Sequence, residues 1–274
     1  MQLKLFKPSI HKINNYVNIA LIIIGSILMM PIITNANPLM IAHAGGGIDG
    51  VQYTNSIEAL DASYARGFRY FEIDFSWTSD HQLVCLHDWE KRFKLNFGYK
   101  TKAVLSLQQF EELLEKQHLR HPCTLKTLAA WVSLHPDGFI ITDVKYDNIE
   151  AIKHITEKYP DLVKNLIPQF YQPHEYQVLK DMGFDKLIWI LYQFEGKKSS
   201  IPDYAKDMEL FAISMRANQV KKKWARQLII NNQSIFIYTV NKLKDLKKLI
   251  NKHSVSGIYT DFLKIEQAQS ISTL

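Results

Sequence analysis

Short apolar runs alternate with longer helical patterns along residues 37–274 of this chain. Eight runs are rich in apolar or β-branched residues and have the length of single strands: 39–43, 69–75, 138–144, 165–170, 187–192, 210–214, 235–240 and 257–260. Apolar residues at helical spacing separate most of them, as in 56–66, 124–134, 148–158 and 242–253. Parallel strands need such crossovers, so the pattern predicts an α/β fold. Eight units favour a (β/α)8 TIM barrel over an open doubly wound sheet, which is the alternative.

One further strand-like run, 82–87, follows the second strand too closely for a crossover helix. We therefore expect it to return antiparallel to that strand as a hairpin. A turn centred on Ser79 and Asp80, two turn-favouring residues, would place Glu72 opposite His87. The hairpin thus predicts contact between an acid and a histidine.

Residues 88–123 form an insertion after this hairpin, and its segment 106–117 has the apolar spacing of a helix. Insertions at the carboxyl ends of barrel strands are where such folds vary their specificity. Cys85 and Cys123 lie near the two ends of the insertion. Whether they form a disulfide stays open at this point, because the sequence does not give their Cα separation.

Residues 1–36 have a different character from the rest of the chain. They begin with three lysines and no acid, continue with the uncharged stretch 19–30, and end in a small-x-small site at 34–36. This order predicts a secretory signal peptide. An uncleaved membrane anchor is the alternative, since 17–33 is just long enough to span a bilayer. Both interpretations predict an extracytoplasmic protein, periplasmic or secreted, and the second adds membrane association through this segment.

Charge and composition narrow the choice of partners. The net charge of +6 becomes +3 without residues 1–36, which is too mild to predict nucleic-acid binding. Two lysine-rich stretches remain, 221–223 and 242–252. We interpret them as solvated helix faces, with binding to an anionic membrane surface as the alternative.

The overall composition excludes two further classes of protein. With 47% hydrophobic residues and only two cysteines, the chain is neither disordered nor built around a CxxC…CxxC zinc site.

Ionisable residues stand where the predicted strands end, at one mouth of the barrel: His43, Glu72, Asp74, His87, Asp143 and Lys145. Glu72 and Asp74 are two residues apart on a strand, so their carboxylates point the same way. Two buried carboxylates repel each other unless a cation lies between them. Oxygen donors favour Mg²⁺ or Ca²⁺, with Asp143 as the natural third ligand. The alternative is a metal-free arrangement in which the acids bond to the backbone and to Lys145.

The two histidines flank this predicted metal site. A histidine pair suits general acid–base catalysis near neutral pH, and we expect His43 to act as base and His87 as acid. Lys145 is expected to neutralise an anionic substrate. The backbone N–H groups of the glycines at 45–47 could cradle a phosphate, although a plain flexible loop explains them equally well.

Eight short motifs, in order, resemble those of the glycerophosphodiester phosphodiesterase family, within the phospholipase-C-like phosphodiesterase barrels. The resemblance covers residues 39–262. The motifs are His-Ala-Gly at 43–45, Tyr-Thr-Asn-Ser at 53–56, Gly…Glu-x-Asp at 67–74, Thr-Ser-Asp at 78–80, His-Asp at 87–88, Pro-Cys-Thr-Leu at 122–125, Tyr-Thr-Val-Asn at 238–241 and Gly-Ile-Tyr-Thr-Asp at 257–261.

The resemblance implies a TIM barrel that hydrolyses a glycerophosphodiester to glycerol 3-phosphate and an alcohol with Mg²⁺ or Ca²⁺. By position it implies a metal held by Glu72, Asp74 and the acid of the third strand, with His43 and His87 as the acid–base pair. Lys145 would lie near the phosphate of a small phosphodiester or phospholipid-derived substrate. Asn55 and Arg92 complete the predicted substrate-binding residues.

Three positions depart from the family pattern. Ala44 replaces an arginine that would contact phosphate, a role that Arg92, Lys91 or the glycine loop could take over. Asp143 and Thr54 each replace a glutamate. An Asp-x-Lys sequence resembles the related sphingomyelinase-D-like toxins, so cleavage of a lysophospholipid or sphingomyelin is a second hypothesis. A catalytically inactive barrel that binds a phosphoglycan or phospholipid is a third.

Overall fold

Eight parallel strands close into a barrel in the computed structural model, which describes residues 37–118 and 120–272. The strands of the sheet are β1 (Leu39–Ala42), β2 (Tyr70–Trp77), β3 (Leu83–Val84), β4 (Phe139–Val144), β5 (Leu166–Phe170), β6 (Ile188–Ile190), β7 (Ala212–Arg216), β8 (Ile235–Tyr238) and β9 (Gly257–Thr260). Each strand except β3 pairs in parallel with its neighbours, and β1 pairs with both β9 and β2 to close the ring. The predicted (β/α)8 TIM barrel is therefore confirmed for the described residues.

Helices follow the barrel strands, mostly where the apolar spacing predicts them. They are α1 (Ile57–Ala65), α2 (Lys91–Phe97), α3 (Leu107–Glu115), α4 (Leu125–Leu134), α5 (Asn148–Lys158), α6 (Pro173–Asp181), α7 (Ile201–Ala205), α8 (Lys223–Ile230), α9 (Leu243–His253) and α10 (Ile265–Ser272). Local sequence sets several of their starts. The Ser56 hydroxyl accepts the Ala59 N–H, and Thr124 forms a capping box with Thr127, so α1 and α4 begin where orphan N–H groups find acceptors.

The barrel interior determines where the functional side chains emerge. Seven strands each place one residue in an apolar cluster: Ile41, Ile141, Ile167, Ile188, Ala212, Phe236 and Tyr259. Side chains alternate along a strand, so the residue two positions later lies on the same side, one step nearer the carboxyl end. His43, Asp143 and Asp261 occupy such positions on β1, β4 and β9. The chemistry-bearing layer thus rests directly on a packed apolar layer.

The hairpin forms, but its predicted register is wrong. Ser76 pairs with Val84 and Trp77 with Leu83, one residue away from the pairing that would set Glu72 opposite His87. His81 adopts a positive φ of 53° in the turn, and the Gln82 N–H bonds to the Thr78 hydroxyl. This larger turn shifts the pairing by one residue. The pairing ends at Val84, and His87 follows it with Nε2 4.0 Å from Asp74 Oδ1 instead of lying opposite Glu72.

The insertion has its own small core and a covalent anchor. Phe93 of α2 and Phe110 of α3 are fully buried in an apolar cluster separate from the main core. Cys85 and Cys123 form a disulfide with a Cα–Cα distance of 4.9 Å, which resolves the pairing left open by the sequence. The Cys85 N–H also donates to the Cys123 carbonyl. Both ends of the insertion are therefore held together next to β2.

The signal-peptide or anchor prediction falls on residues 1–36, which lie outside the described residues. Within 37–118 and 120–272, no helix combines the length and apolar character needed to cross a bilayer. Asn37–Leu274 forms one compact unit of the chain.

Candidate active site

A pocket of about 180 Å³ opens at the carboxyl ends of the barrel strands. All six ionisable residues predicted to meet at the mouth line it: His43, Glu72, Asp74, His87, Asp143 and Lys145. They come from the ends of β1, β2 and β4 and from the arm after β3. The structure therefore brings the predicted chemistry together in one place.

Three buried carboxylates form the base of the pocket. Ligand atoms of Glu72, Asp74 and Asp143 all lie within 4.8 Å of one another, a spacing that could hold a metal ion. Glu72 Oε2 accepts the Ala44 N–H at 2.8 Å. Glu72 Oε1 is buried and has no hydrogen-bond partner among the described residues. A buried acceptor without a donor is costly, so this oxygen fits a cation ligand.

Asp143 and Asp74 are held more tightly than Glu72. The hydroxyls of Tyr171 and Tyr192 donate to Asp143 Oδ1 at 2.6 and 2.8 Å. Lys145 Nζ donates to Asp143 Oδ2 at 2.7 Å and lies 2.9 Å from Asp74 Oδ1. Lys145 therefore forms the bridge that the metal-free alternative requires, but this bridge does not extend to Glu72.

Asn55, expected to bind substrate, has a different contact. Its side chain is fully buried, its Nδ2 donates to Asp74 Oδ2 at 3.0 Å, and its Oδ1 accepts the Asp74 N–H at 3.0 Å. Both polar atoms are therefore used in fixing the Asp74 carboxylate, and Asn55 does not line the pocket. In this structure it acts as a positioning residue behind the acid.

Burial and charge separate the protonation behaviour of the two neighbouring acids. Burial, followed by repulsion from Asp74, raises the pKa of Glu72. Burial would also raise the pKa of Asp74, but Lys145 and then the two histidines outweigh it and lower that pKa. Lys145 is buried too, yet Asp143 and Asp74 raise its pKa well above the ordinary value, so it stays charged. Glu72 is thus the carboxylate whose charge is least compensated by the described residues.

His43 is held by an acid from the last strand. Its Nδ1 lies 2.8 Å from Asp261 Oδ1, and Asn241 donates to the other oxygen of Asp261 at 2.6 Å. Burial lowers the pKa of His43, but the bond to Asp261 and the charges of Glu72, Asp261 and Asp74 outweigh it and raise that pKa to about 9. With Nδ1–H donated to Asp261, Nε2 is the free nitrogen, 3.8 Å from Glu72 Oε2.

His87 repeats this arrangement with a local partner. Its Nδ1 lies 2.8 Å from Asp88 Oδ2, and its Nε2 is 4.0 Å from Asp74 Oδ1. Asp88 Oδ1 accepts the N–H groups of Glu90 and Arg92, which fixes the carboxylate at the start of α2. Each histidine therefore has one nitrogen on a fixed carboxylate and the other near the metal-ligand candidates.

Tyr53 lies between the two histidines; the sequence analysis included it in a motif but assigned it no role. Its ring meets His43 edge-on at 4.6 Å and His87 edge-on at 5.4 Å between centroids. The Arg92 guanidinium carbon lies 3.5 Å from the centroid of the Tyr53 ring. Arg92, expected to bind substrate, thus covers Tyr53 and does not itself line the pocket.

The glycine loop does not offer a phosphate cradle. The Gly46 N–H donates to the His43 carbonyl, and the Gly47 N–H donates to the Asp261 carbonyl. A Cβ on Gly47 would lie 2.2 Å from the Phe262 ring, so close packing explains that glycine. Thr54, which replaces a family glutamate, is fully buried and bonds to Ser56.

The other side of the pocket carries residues to which the sequence analysis assigned no role. They are Gln169, Ile190, Tyr192, Arg216, Tyr238 and Thr239, from the ends of β5 to β8. Gln169 Oε1 and Tyr238 Oη are buried without a hydrogen-bond partner among the described residues. Arg216 ends β7 in register with Tyr238 and is exposed at the mouth. Strand-end position was the available signal for Gln169, Ile190 and Tyr238, which follow the interior residues of their strands by two places.

Comparison with known proteins agrees with this geometry. The model of the "Glycerophosphoryl diester phosphodiesterase family" matches residues 43–189. A search of curated proteins finds no match.

Solved structures share the fold at low sequence identity. A glycerophosphodiester phosphodiesterase from Thermotoga maritima is 19% identical, with a TM-score of 0.64 over 87% of this chain and 99% of that chain. One from Parabacteroides distasonis is also 19% identical, with a TM-score of 0.63 over 86% and 97%. An Oleispira antarctica phosphodiesterase in complex with the product sn-glycerol-3-phosphate is 14% identical, with a TM-score of 0.62 over 86% and 97%.

Proposed function

Because this chain belongs to the glycerophosphoryl diester phosphodiesterase family and is therefore a phosphoric diester hydrolase, we propose that it cleaves a glycerophosphodiester to glycerol 3-phosphate and an alcohol. One observation carries the proposal: three buried carboxylates and two carboxylate-held histidines share a single pocket. The glycerol 3-phosphate bound to the Oleispira antarctica phosphodiesterase supports the same choice of product.

The carboxylate cluster is the proposed site of a divalent cation. Glu72, Asp74 and Asp143 offer only oxygen donors, which suit Mg²⁺ or Ca²⁺ better than Zn²⁺. The partnerless Glu72 Oε1 supports this assignment, because no described residue satisfies it. When bound, such a cation polarises the phosphate and stabilises the negative charge that develops during the reaction.

The histidines are the proposed proton carriers. Asp261 fixes the Nδ1–H of His43. A cation held by the three carboxylates would offset the charges of Glu72 and Asp74 that help to raise the pKa of His43. The deprotonated Nε2 would then take the proton from the attacking hydroxyl, which we assign to the 2-hydroxyl of the substrate glycerol. The first product of that attack is a cyclic phosphate, which water then opens. His87 protonates the leaving alcohol from Nε2. Its side chain is 31% exposed against 11% for His43, which suits the group nearer the alcohol's exit.

Two cations of the pocket are the proposed ligands of the substrate phosphate. Lys145 lines the pocket and keeps its charge beside Asp74 and Asp143. Arg216 lines the opposite side and supplies the guanidinium that Ala44 cannot. A guanidinium binds phosphate in a two-pronged geometry, so Arg216 takes the role first expected of Arg92.

Hydrolysis of a defined panel tests this proposal. The purified protein is assayed on glycerophosphoglycerol, glycerophosphoethanolamine and glycerophosphocholine, first with EDTA and then with Mg²⁺ or Ca²⁺ restored. We expect glycerol 3-phosphate to be released only when metal is restored. A folded protein that releases none from any substrate with either metal would contradict the proposed activity.

A second candidate is cleavage of a lysophospholipid or sphingomyelin, as in sphingomyelinase-D-like relatives. The ion pair between Lys145 and Asp143 favours it, because this pair realises the Asp-x-Lys arrangement. Lysophosphatidylcholine and sphingomyelin are added to the panel for this reason. Release of choline from lysophosphatidylcholine or sphingomyelin, with none from glycerophosphocholine, would select this candidate over the first.

An extracytoplasmic location remains part of the proposal. The Cys85–Cys123 disulfide supports it, since disulfides persist mainly in oxidising compartments. Fractionation of the native host, followed by thiol labelling with and without reduction, tests it. A cytoplasmic protein with two free thiols would contradict it.

A further inference from the structure

A cleft lined with cations adjoins the active-site pocket. This lysine cleft, a cavity of about 250 Å³, lies between the loops after β7 and β8 and the helix α9. Lys221 and Lys248 line its walls, and Val220, Val240 and Leu249 are its buried apolar residues. Thr239 lines both this cleft and the active-site pocket. The two cavities are therefore neighbours that share a wall residue.

The cleft carries more positive than negative charge. Asp245 is the one carboxylate among its lining residues. Neither Lys221 nor Lys248 forms an ion pair within residues 37–118 and 120–272. Unpaired cations gathered in a concave surface raise the local potential and attract anions.

A half-buried histidine at the end of α9 is subject to the same positive charge. His253 lines the cleft, and burial followed by the charges of Arg226, Lys248, Lys252 and Lys221 lowers its pKa. Two of these cations, Lys221 and Lys248, also line the cleft beside the active-site pocket.

We propose that the lysine cleft is a second anion-binding subsite, which takes a phosphate carried by the alcohol part of the substrate. The proposal rests on the function proposed above. The glycerol part carries only hydroxyls besides the scissile phosphate, so a further anion must belong to the alcohol. Thr239 lines both cavities, so the subsite lies next to the active-site pocket.

A matched pair of substrates and a matched pair of variants test the subsite. Glycerophosphoinositol and glycerophosphoinositol 4-phosphate contain the same scissile diester and differ in one phosphate. The cleft variant is Lys221→Gln with Lys248→Gln. The control, Lys222→Gln with Lys247→Gln, removes the same charge from neighbouring exposed positions that do not line the cleft.

The expected result is a preference that depends on the cleft. We expect the wild type to favour the phosphorylated substrate by about tenfold in kcat/KM, expressed mainly in KM and weakened by salt. The cleft variant should lose this preference, and the control variant should keep it. A wild type without preference, or a control that loses as much as the cleft variant, overturns the proposal.

Binding measurements separate this proposal from the proposed activity. Calorimetric titration with inositol 4-phosphate, and with inositol for comparison, needs no turnover. We expect about tenfold weaker binding of inositol 4-phosphate to the cleft variant than to wild type and control. If the diesters are not cleaved but this difference appears, the activity fails while the subsite stands.

Vesicles provide the remaining arm of the test. Wild type and cleft variant are sedimented with phosphatidylglycerol vesicles. Loss of vesicle binding in the cleft variant, together with unchanged affinity for inositol 4-phosphate, would show a membrane-facing patch and overturn the subsite.

Discussion

The two sides of the active-site pocket are built differently. The acidic side, from β1, β2, β4 and the arm after β3, carries the three carboxylates, both histidines and Lys145. The aromatic side, from β5 to β8, carries Tyr192, Arg216 and Tyr238 and adjoins the lysine cleft. The family match at 43–189 contains the whole acidic side but ends before these three residues.

This difference separates the chemistry from the choice of substrate. The acidic side is held by many fixed bonds, such as those from Asn55 to Asp74 and from Asp261 to His43. The aromatic side keeps an exposed arginine and a buried tyrosine hydroxyl without a partner among the described residues. We expect changes on the acidic side to abolish turnover and changes on the aromatic side to alter affinity.

The largest effect is expected at Glu72. Glu72→Gln keeps a carbonyl oxygen for the Ala44 N–H but removes the charge that a cation requires. A loss of about 5 kcal/mol of transition-state stabilisation corresponds to a decrease in kcat/KM of about 10⁴-fold. Activity measured across a range of Mg²⁺ and Ca²⁺ concentrations checks it, with exposed Glu115→Gln as the control. Full activity at limiting metal would remove Glu72 from the ligands.

His87→Ala is expected to reduce turnover by roughly 10³-fold, because it removes the proposed acid. The fold should survive, since Asp88 continues to accept the N–H groups at the start of α2. Rate measurements with substrates of different leaving-group pKa provide the check: the defect should shrink as the leaving alcohol becomes more acidic. An equal defect on all substrates, or unfolding of the variant but not of exposed His118→Ala, would assign His87 a structural role.

The disulfide is expected to stabilise the acidic side through the insertion. It joins positions 38 residues apart, and opening a loop of this size lowers the free energy of unfolding by about 4 kcal/mol. A Cys85→Ser and Cys123→Ser double variant should show this loss in denaturant unfolding. Compared with the wild type, the double variant should show faster hydrogen exchange in α2 and α3 and unchanged exchange in the strands β5 to β8. Uniformly faster exchange would mean that the insertion is not a separate unit.

Arg216→Ala tests the aromatic side. We expect KM to rise about tenfold while kcat changes little, because the guanidinium binds the phosphate in ground state and transition state alike. Arg216→Lys should recover only part of the affinity, since it keeps the charge and loses the two-pronged geometry. A decrease in kcat as large as that of His87→Ala would erase the distinction between the two sides.

The acidic side could be predicted from the sequence for a physical reason. Strand alternation and the common mouth of a parallel barrel fix which residues meet, so Glu72, Asp74 and Asp143 converge without knowledge of any contact. The hairpin register could not be predicted, because it depends on the conformation of a single turn residue, His81. The substrate-binding role of Asn55 could not be judged either, since depth behind Asp74 is a property of packing.

The aromatic side gave weaker signals. Tyrosines are common on strands for packing reasons alone, so Tyr192 and Tyr238 do not stand out by type.

The bond between His43 and Asp261 joins residues 218 positions apart. Closure of the ring puts β9 beside β1, so this pairing was available from the barrel prediction together with strand-end position. Arg216 was available in the same way, as a charged residue two places after Ser214 at a strand end.

The smallest expected effect concerns an ion pair that fastens the insertion to the acidic side. His121 Nδ1 lies 2.5 Å from Glu58 Oε1 in α1, and the His121 N–H donates to Glu58 Oε2. The bond to Glu58 raises the pKa of His121. Burial alone would raise the pKa of Glu58, but the bond to His121 outweighs it and lowers that pKa.

These directions set the pH range in which the pair stabilises the fold. The stabilisation linked to the raised pKa of His121 is fully present below the ordinary pKa of 6.5. It is lost as the pH rises through the pKa of the folded state. The stabilisation linked to the lowered pKa of Glu58 is present above the ordinary pKa of 4.5. It is lost as the pH falls through the pKa of the folded state. Both side chains are more than a third exposed, so we expect the pair to contribute only about 0.5 kcal/mol to the free energy of unfolding. The stability difference between wild type and Glu58→Gln should be larger at pH 5.5 than at pH 8.5. A difference that is the same at both pH values would mean that the pair acts through packing, and that charge does not hold the insertion against the acidic side.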